Sequence, residues 1–408
     1  MELLVSKLKR EKIIRIAKWS LVIGICLFTF FYCLYYAETI GKYVEGYTPD
    51  EGNYIAMAKR LLSDHVYSYW GGDSDAYVSP GFPVFLTLCM MIFGTDLQAI
   101  FCIKVVQCVL ASLTVLLTFL LAYQLINKYS AGIIACLLIA INGSYAFYSR
   151  FLLTETLYYF TMMLFFVVFV FSMKRQKNWL YCLSGALFCI CIMVRPLIFV
   201  ITPFVFIPWA IKKWKKWKEL FVPIIWFAIG FIIIGMPWWI RNLVTMNQLI
   251  LFATQTNPIY AGLAPDVNAL GLVDPGSMMG NLKLLIQLLI ESPLQTIYWM
   301  LFGKFDIMFM QTPDVRYFEI FTELVRNITV YLGLFGMIKA LFSPKMRWAS
   351  IIFLIYLLSS FLFIPTERYS LQYLPFLAIF TGYVMTACFC KRCSVEEDLV
   401  NKNAYDLK

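Results

Sequence analysis

The residues of this sequence best suited to acid–base chemistry are the adjacent carboxylates Asp50 and Glu51, which lie between Thr48-Pro49 and Tyr54. A positioned carboxylate can take the proton of a hydroxyl nucleophile while a new bond forms. The same pattern also suits a helix start, because Thr48 is a good N-cap, Pro49 a good first residue, and acids favour the first turn. The alternative interpretation is therefore structural, with both acids complementing a helix dipole.

A second carboxylate, Glu155, lies at the start of a long apolar segment, where an ionisable side chain is costly and usually functional. Four arginines lie at the ends of other apolar segments, namely Arg150, Arg195, Arg241 and Arg368. An isolated arginine at a membrane edge most often anchors to lipid headgroups. Four such arginines together with carboxylates predict a site for an anionic ligand such as a lipid phosphate.

The rest of the sequence must place these side chains in a membrane. Of its 408 residues, 61% are hydrophobic and only 14% are charged, whereas soluble domains are roughly 45–50% apolar and about 25% charged. This composition excludes a cytosolic enzyme and a disordered chain. It also means that the net charge of +10 is not a nucleic-acid-binding surface; the charge reports how the chain is oriented in the membrane.

The apolar segments predict an all-α polytopic membrane protein with about ten transmembrane helices. The predicted spans are residues 19–39, 98–126, 131–148, 156–173, 179–194, 197–211, 220–239, 328–342, 348–364 and 371–390. Two further apolar segments lie in the first and the fourth outer loop. Residues 80–94 are predicted to form an interfacial or re-entrant helix. Residues 282–326, interrupted at Glu291-Ser292-Pro293, are predicted to form either two interfacial helices or one hairpin.

Basic residues near span ends are retained in the cytoplasm and so set the orientation. With ten spans, every basic cluster falls on the same side, and most of the lysines and arginines lie there. These clusters are residues 7–18, 174–177, 212–218, 345–347 and 391–392. The sequence therefore predicts cytoplasmic termini and an extracytoplasmic site.

This topology gives the predicted domain organisation. Residues 1–390 form a single transmembrane module, in which 40–97 are the first outer, catalytic loop and 240–327 are a large outer loop. Residues 391–408 form a polar cytoplasmic tail.

The ordered series of motifs on the predicted outer face resembles a known family. The motifs are Pro49-Asp50-Glu51-x-x-Tyr54, Pro80-Gly81-Phe82-Pro83, Ser149-Arg150 with Thr154-Glu155, Arg195-Pro196, Pro237-Trp238-Trp239-Ile240-Arg241-Asn242 and Arg368-Tyr369. The series covers about residues 19–390 and resembles GT-C type glycosyltransferases, in the group of protein O-mannosyltransferases and the lipid A aminoarabinose transferase. Those enzymes use a polyprenyl-phosphate sugar as donor.

The resemblance implies an inverting hexosyl- or pentosyltransferase that moves a sugar from a polyprenyl-phosphate donor to a hydroxyl of an acceptor glycan, lipid or protein. It implies Asp50 as the general base, with Glu51 positioning it and Glu155 assisting. The donor phosphate would contact Arg241, Arg195, Arg368 and Arg150, beside Tyr54. Whether a divalent cation, Mg²⁺ or Mn²⁺, binds between Asp50 and Glu155 stays open, because metal dependence varies across the resembling enzymes. The expected location is a bacterial plasma membrane.

Two departures from the family pattern and two alternative functions remain at this point. The second-loop acid is Glu155 where aspartate is more usual, and no large C-terminal soluble domain is expected, so acceptor recognition would fall to the outer loops, chiefly 241–326. A lipid-linked-oligosaccharide polymerase or ligase would share the arginines but not need Asp50-Glu51. A flippase or transporter would place ionisable groups near mid-membrane, and Lys104 is the nearest approach to that pattern.

Overall fold

The computed structural model describes residues 2–39, 48–212, 217–311 and 319–389. Regular structure in these ranges is entirely helical, which confirms the predicted all-α class. Residues 40–47 of the first predicted outer loop, 213–216 of the third basic cluster and the predicted tail 391–408 lie outside the described residues.

Among the described residues, five helices are long and apolar enough to cross a membrane. They are α1 (Glu2–Thr39), α4 (Leu97–Ile126), α7 (Thr154–Arg175), α11 (Trp217–Met246) and α15 (Glu319–Leu341).

Five shorter apolar helices pack among them: α3 (Gly81–Phe93), α5 (Tyr129–Ala140), α8 (Asn178–Val194), α16 (Arg347–Ser360) and α18 (Leu374–Phe389). The remaining helices are α2 (Pro49–Ser63), α6 (Gly143–Tyr148), α9 (Thr202–Val205), α10 (Ile207–Lys212), α12 (Asn257–Tyr260), α13 (Met278–Glu291), α14 (Pro293–Tyr298) and α17 (Glu367–Ser370). Two wide π-type turns, Trp299–Gly303 and Asp306–Met310, follow α14.

Two predicted segments fold differently from the expectation. The predicted span over 197–211 is broken into a 3₁₀ helix, Pro196–Ile201, followed by α9 and α10, because prolines at 196, 203 and 208 interrupt helical hydrogen bonding. The predicted span over 220–239 continues to Met246. Arg241, expected at the start of the large outer loop, therefore lies within α11.

The first predicted outer loop contains the expected helices. In α2, Thr48 is the N-cap: its Oγ1 accepts a hydrogen bond from the backbone N–H of Glu51 at 3.2 Å, and Pro49 is the first residue. Ile55 and Ala58 of the predicted apolar face are buried. The predicted short apolar helix is α3, which packs against α2. Both helices are in place, while their position relative to the bilayer stays a prediction.

The two ends of the bundle differ in charge. The end where α1 and α8 finish and α7 begins carries Asp50, Glu155 and Arg195, and we call it the site end. At the opposite end, Lys174 Nζ donates to the backbone O of Gln124 at 2.6 Å and Lys345 Nζ to that of Ile126 at 3.0 Å. The described basic residues of these two clusters therefore lie away from the site end.

α8 and α11 pack through glycines. A Cβ at Gly185 would clash with the backbone carbonyl of Phe227, and a Cβ at Gly230 would clash with that of Cys182. The two helix backbones can approach this closely only because neither position carries a side chain. Arg195 is the C-cap of α8, so this contact also fixes the position of the Arg195 backbone.

We expect Gly185→Ala to destabilise the protein by about 1–3 kcal/mol, the usual cost of overpacking a close-packed interior. The measurement is the midpoint of thermal unfolding of the purified protein in lipid nanodiscs. Gly24→Ala in α1 is the matched control, because a Cβ there meets nothing within 4 Å; it should be neutral or slightly stabilising. Equal midpoints for Gly185→Ala and wild type would contradict this account of the α8–α11 contact.

Candidate functional site

Four charged side chains from distant parts of the sequence meet at the site end. Asp50 lies in the first turn of α2, Glu155 in the first turn of α7, Arg195 at the end of α8 and Arg368 in α17. Acids at a helix start and an arginine at a helix end are each in the favourable orientation for the helix dipole. Thus each helix terminus supplies one member of the site.

Arg368 lies between the two carboxylates. Its Nη2 donates to Asp50 Oδ2 at 2.8 Å, and its Nε lies 3.7 Å from Glu155 Oε1. Arg195 Nη2 donates to the same Glu155 oxygen at 2.6 Å. The result is an alternating series, Asp50–Arg368–Glu155–Arg195, which we call the charge chain.

The members of the charge chain differ in exposure. The Glu155 side chain is 2% exposed, Arg195 is 18% exposed, Arg368 is 23% exposed and Asp50 is 45% exposed. A buried carboxylate needs a paired cation, and Glu155 has two arginines for that purpose. Asp50 is the open end of the chain and is therefore the carboxylate that a substrate hydroxyl can reach.

The guanidinium groups are fixed by further contacts. Arg195 Nε donates to Thr154 Oγ1 at 2.7 Å, and the Tyr369 ring lies 4.8 Å from the Arg195 guanidinium and 5.3 Å from that of Arg368. Burial alone would lower the pKa of Arg368, but Glu155 and Tyr369 outweigh it, so the pKa is raised. Both arginines hold a permanent positive charge at this position.

Glu51, the neighbour of Asp50, faces the opposite way. It is fully buried, accepts a hydrogen bond from the backbone N–H of Leu152 at 2.9 Å, and lies 3.6 Å from Lys104 Nζ of α4. Glu51 thereby joins α2 to the segment before α7. Lys104, the nearest approach in the sequence to a mid-membrane cation, thus has Glu51 as its carboxylate partner.

Arg150 and Arg241 make other contacts than the charge chain. The buried Arg150 guanidinium lies 4.0 Å from the ring of Phe147 and 4.4 Å from that of Phe151. Arg241 Nη1 donates to the backbone O of Asp75 at 2.7 Å, and Nη2 to that of Tyr67 at 3.1 Å. Arg241 thus fixes the first loop, and phosphate binding by these two arginines stays a prediction.

Tyr54 lies beside the charge chain on the inner face of α2. Its ring makes edge contacts with Phe82 of α3, at 5.1 Å between centroids, and with Tyr69 at 5.8 Å. Burial, with a further contribution from Tyr69, raises the Tyr54 pKa. The phenol therefore stays neutral and offers packing and a hydroxyl, while a negative charge on it is disfavoured.

Two buried cations that the sequence analysis did not single out hold the segment carrying Arg368. Lys304 is fully buried and donates to the backbone O of Phe361 and, at 3.0 Å, to that of Phe363. Arg326 is fully buried and donates to Ser370 Oγ at 3.2 Å. The sequence gives no signal for either, because Lys304 lies two positions before Asp306 and Arg326 three positions after Glu323, as ordinary loop cations do.

The position between Asp50 and Glu155 is where the sequence predicted a possible divalent cation. The position between these carboxylates already holds a cation, the Arg368 guanidinium. Within the described ranges, no three His, Cys, Asp or Glu side chains lie together as a metal site requires. A divalent cation therefore does not fit there unless Arg368 moves away.

Comparisons with known proteins identify the class of this fold. Residues 94–251, less than half of the chain, match the family described as dolichyl-phosphate-mannose-protein mannosyltransferase. No curated protein matches the sequence. The matched segment includes Glu155, Arg195 and Arg241 but not Asp50 or Arg368.

The fold is similar to that of ArnT from Cupriavidus metallidurans, solved bound to undecaprenyl phosphate. The TM-score is 0.53 and the sequence identity 12%, over 89% of this chain and 59% of that chain. The archaeal oligosaccharyltransferase AglB from Archaeoglobus fulgidus, solved with an inhibitory peptide and a dolichol-phosphate, gives a TM-score of 0.48 at 12% identity, over 93% of this chain and 52% of that chain. The family match and the ArnT-like fold confirm the predicted resemblance to GT-C type membrane proteins. The chain spans little more than half the length of these proteins.

Lys304 gives the site end a testable pH dependence. Burial lowers its pKa to about 7, whereas the pKa of a lysine in an unfolded chain is about 10.4. Between these values the unfolded chain binds more protons than the folded protein, so this lysine makes stability rise with pH. We expect the unfolding midpoint of wild type to rise relative to that of Lys304→Met across this window.

The measurement is thermal unfolding in nanodiscs at a series of pH values from neutral upwards. Lys283→Met is the matched control, because Lys283 is an exposed lysine on α13, and its curve should run parallel to that of wild type. Parallel curves for Lys304→Met as well would show that burial does not perturb the titration of Lys304.

Proposed function

We propose that this protein is an inverting glycosyltransferase that moves a sugar from a polyprenyl-phosphate donor to an acceptor hydroxyl at the extracytoplasmic membrane face. The observation that carries the proposal is the charge chain, because it combines one accessible carboxylate, Asp50, with two fixed guanidinium groups, Arg195 and Arg368. Sugar transfer from a lipid phosphate needs these two functions together, a base and a group that stabilises the departing phosphate.

In the proposed reaction, the acceptor oxygen bonds to the anomeric carbon as the bond from that carbon to the phosphate oxygen breaks. The hydroxyl proton passes to Asp50, and the polyprenyl phosphate leaves with one more negative charge than it had as a phosphodiester. Arg368 and Arg195 face that growing charge. Because guanidinium forks match phosphate oxygens, they stabilise the transition state more than the ground state.

Arg368 links donor binding to the state of the base. While it pairs with Asp50 at 2.8 Å, it occupies one of the two carboxylate oxygens. A donor phosphate competes with Asp50 for the guanidinium, so its arrival releases that oxygen toward the acceptor. Glu155, held by Arg195, stays in place as the fixed point of the site.

An apolar cavity supports a polyprenyl donor. The cavity is lined by apolar and aromatic side chains, among them Phe166, Val170, Phe353, Tyr356 and Phe380. The hydroxyls of Tyr356 and Tyr158 are 2.7 Å apart, and the Tyr158 ring lies 6.0 Å from the Arg195 guanidinium. Leu125, Met173 and Ala349 also line the cavity, so it lies toward the lysine end of the bundle, and Tyr356 and Tyr158 separate it from Arg195. It offers apolar space for part of an isoprenoid tail.

The charge distribution supports the extracytoplasmic location. Lys174 and Lys345 lie at the end of the bundle opposite Asp50, since both donate to backbone carbonyls in the last turn of α4. Basic span ends are retained in the cytoplasm, which supports a site end on the outer side. A plasma membrane of a bacterium is the proposed location.

Asp50→Asn tests the base. The amide keeps the shape of the side chain but cannot take a proton, so we expect turnover to fall by about 10²–10⁴-fold, the usual contribution of a general base. The measurement is release of radiolabelled sugar from polyprenyl-phosphate monosaccharide donors by purified protein. Asp64→Asn is the matched control, because Asp64 is an exposed acid at the other end of α2, and it should keep wild-type turnover.

Two outcomes would count against the proposal. Wild-type turnover by a correctly inserted Asp50→Asn protein would remove Asp50 as the base. No turnover by wild type with any monosaccharide donor would favour the second candidate, a lipid-linked-oligosaccharide polymerase or ligase, whose lipid-phosphate donor the two arginines would serve equally well.

Removal of divalent cations is a separate test. Because Arg368 occupies the position between Asp50 and Glu155, we expect transfer to continue at the wild-type rate in EDTA. Arg368→Gln should instead lose roughly 10²-fold in turnover, as removal of one transition-state donor does. Loss of activity in EDTA, restored by Mg²⁺ or Mn²⁺, would show that a metal supports the site.

A further inference from the structure

Three aromatic side chains of the first loop form a cluster next to α2, which we call the aromatic platform; Trp70 is its exposed member, Tyr77 is half-buried and Tyr69 is buried. Trp70 lies 4.9 Å from Tyr69 and 5.4 Å from Tyr77 between ring centroids, and Tyr69 and Tyr77 are 5.2 Å apart. Trp70 is 69% exposed although it touches both tyrosines. A large ring held at the surface in this way offers a face to a ligand.

The loop under the platform is fixed from two sides. Arg60 Nη2, on α2, donates to the backbone O of Ser68 at 2.7 Å and to that of Tyr69 at 3.0 Å. Arg241, on α11, donates to the backbone O of Tyr67 and of Asp75. Two guanidinium groups thus bind four backbone carbonyls within the same short loop.

The Asp75 carboxylate closes the loop internally. Its Oδ2 accepts from the backbone N–H of Tyr69 at 2.8 Å, and its Oδ1 accepts from that of Tyr77 at 3.0 Å. Both tyrosines of the platform are therefore positioned through their backbone. A surface whose conformation is already fixed loses little conformational entropy when a ligand binds.

The platform lies next to the charge chain. Asn53 Nδ2 donates to Tyr69 Oη at 3.3 Å, and Asn53 is one helical turn after Asp50 on α2, so both lie on the same side of that helix. At the other edge, Tyr77 Oη donates to Asn257 Oδ1 of α12 at 3.3 Å. The aromatic rings are thus bordered by amide side chains, which hydrogen-bond hydroxyl groups.

We propose that the aromatic platform binds a sugar ring of a substrate, with the apolar face of a pyranose packed on Trp70 and its hydroxyls directed toward Asn53 and Asn257. This assignment rests on the proposed transferase function and extends it to substrate recognition. A pyranose presents C–H groups on one face and hydroxyls at its edge, which matches an aromatic face bordered by amides. The ring belongs either to the donor or to the acceptor.

The other explanation for an exposed tryptophan is a membrane-interface anchor. The sequence after Trp70 argues against it: Gly71, Gly72, Asp73 and Ser74 form a polar turn, in which both glycines have φ of +88°. Trp179 provides the comparison. It is 63% exposed at the start of α8, at the lysine end of the bundle, and carries no such network of loop hydrogen bonds among the described contacts.

The first experiment measures sugar binding without turnover. Wild type, Trp70→Ala, Trp70→Phe and Trp179→Ala are reconstituted in phospholipid nanodiscs free of glucoside and maltoside detergents. Saturation-transfer NMR is recorded with methyl α-D-mannopyranoside and methyl β-D-glucopyranoside as probes. We expect the transfer signal of at least one probe to fall about tenfold in Trp70→Ala, to persist largely in Trp70→Phe and to be unchanged in Trp179→Ala.

The second experiment assigns the ring to donor or acceptor. Hydrolysis of radiolabelled polyprenyl-phosphate mannose is measured without acceptor. A KM for the donor raised about tenfold in Trp70→Ala assigns the platform to the donor sugar, whereas an unchanged KM together with lost probe binding assigns it to the acceptor.

Equal NMR signals in wild type and Trp70→Ala, or an equal loss in Trp179→Ala, would overturn the platform and support an anchor. Absence of turnover by wild type would count against the proposed function alone, because the NMR comparison needs no turnover.

Discussion

The guanidinium of Arg368, held between Asp50 and Glu155, is the interaction on which the arrangement of the site end depends. Without this cation, two carboxylates from different helices would face each other at the site end, where burial of Glu155 leaves their repulsion weakly screened. Arg368 converts that repulsion into two attractions, one of them a 2.8 Å hydrogen bond between residues 318 positions apart. The starts of α2 and α7 are thereby held at a common point.

The same interaction gives the site an order of events. The Asp50 carboxylate is partly blocked while it pairs with Arg368, and in the proposed mechanism a donor phosphate that binds the arginine removes the block. The donor phosphodiester has a single negative charge, as a carboxylate does, so in the proposed mechanism it displaces Asp50 by contacting Arg368 and Arg195 together. Glu155 does not follow the same exchange, because burial and a second arginine hold it in place. In the proposed mechanism, Asp50 would therefore become accessible to the acceptor hydroxyl only when the donor is bound.

The sequence predicted the elements and the members of the charge chain, and its failures have physical causes. Helix capping by Thr48, the helix at 81–93 and the end-on placement of Glu155 and Arg195 follow from local rules that one segment contains by itself. Arg241 was misplaced relative to its helix because Pro237 does not end α11. Its contacts, like those of Lys304, are backbone carbonyls of remote segments. A carbonyl acceptor leaves no trace in residue type, so such partners become visible only in three dimensions.

At the site end, one residue of an adjacent pair makes a structural hydrogen bond while the other faces the site. Asp50 faces the site while Glu51 accepts the backbone N–H of Leu152. Arg368 faces the site while Glu367 accepts a hydrogen bond from the Tyr148 hydroxyl at 2.7 Å. On a helix, successive side chains point about a quarter-turn or more apart, so one residue can anchor the helix while its neighbour stays available. This arrangement explains how α17, only four residues long, can hold a guanidinium in place. Contacts of the neighbouring residues, such as the Glu367–Tyr148 hydrogen bond, offset the conformational entropy lost when the segment is ordered. The Arg368 guanidinium therefore has only to pair with the two carboxylates.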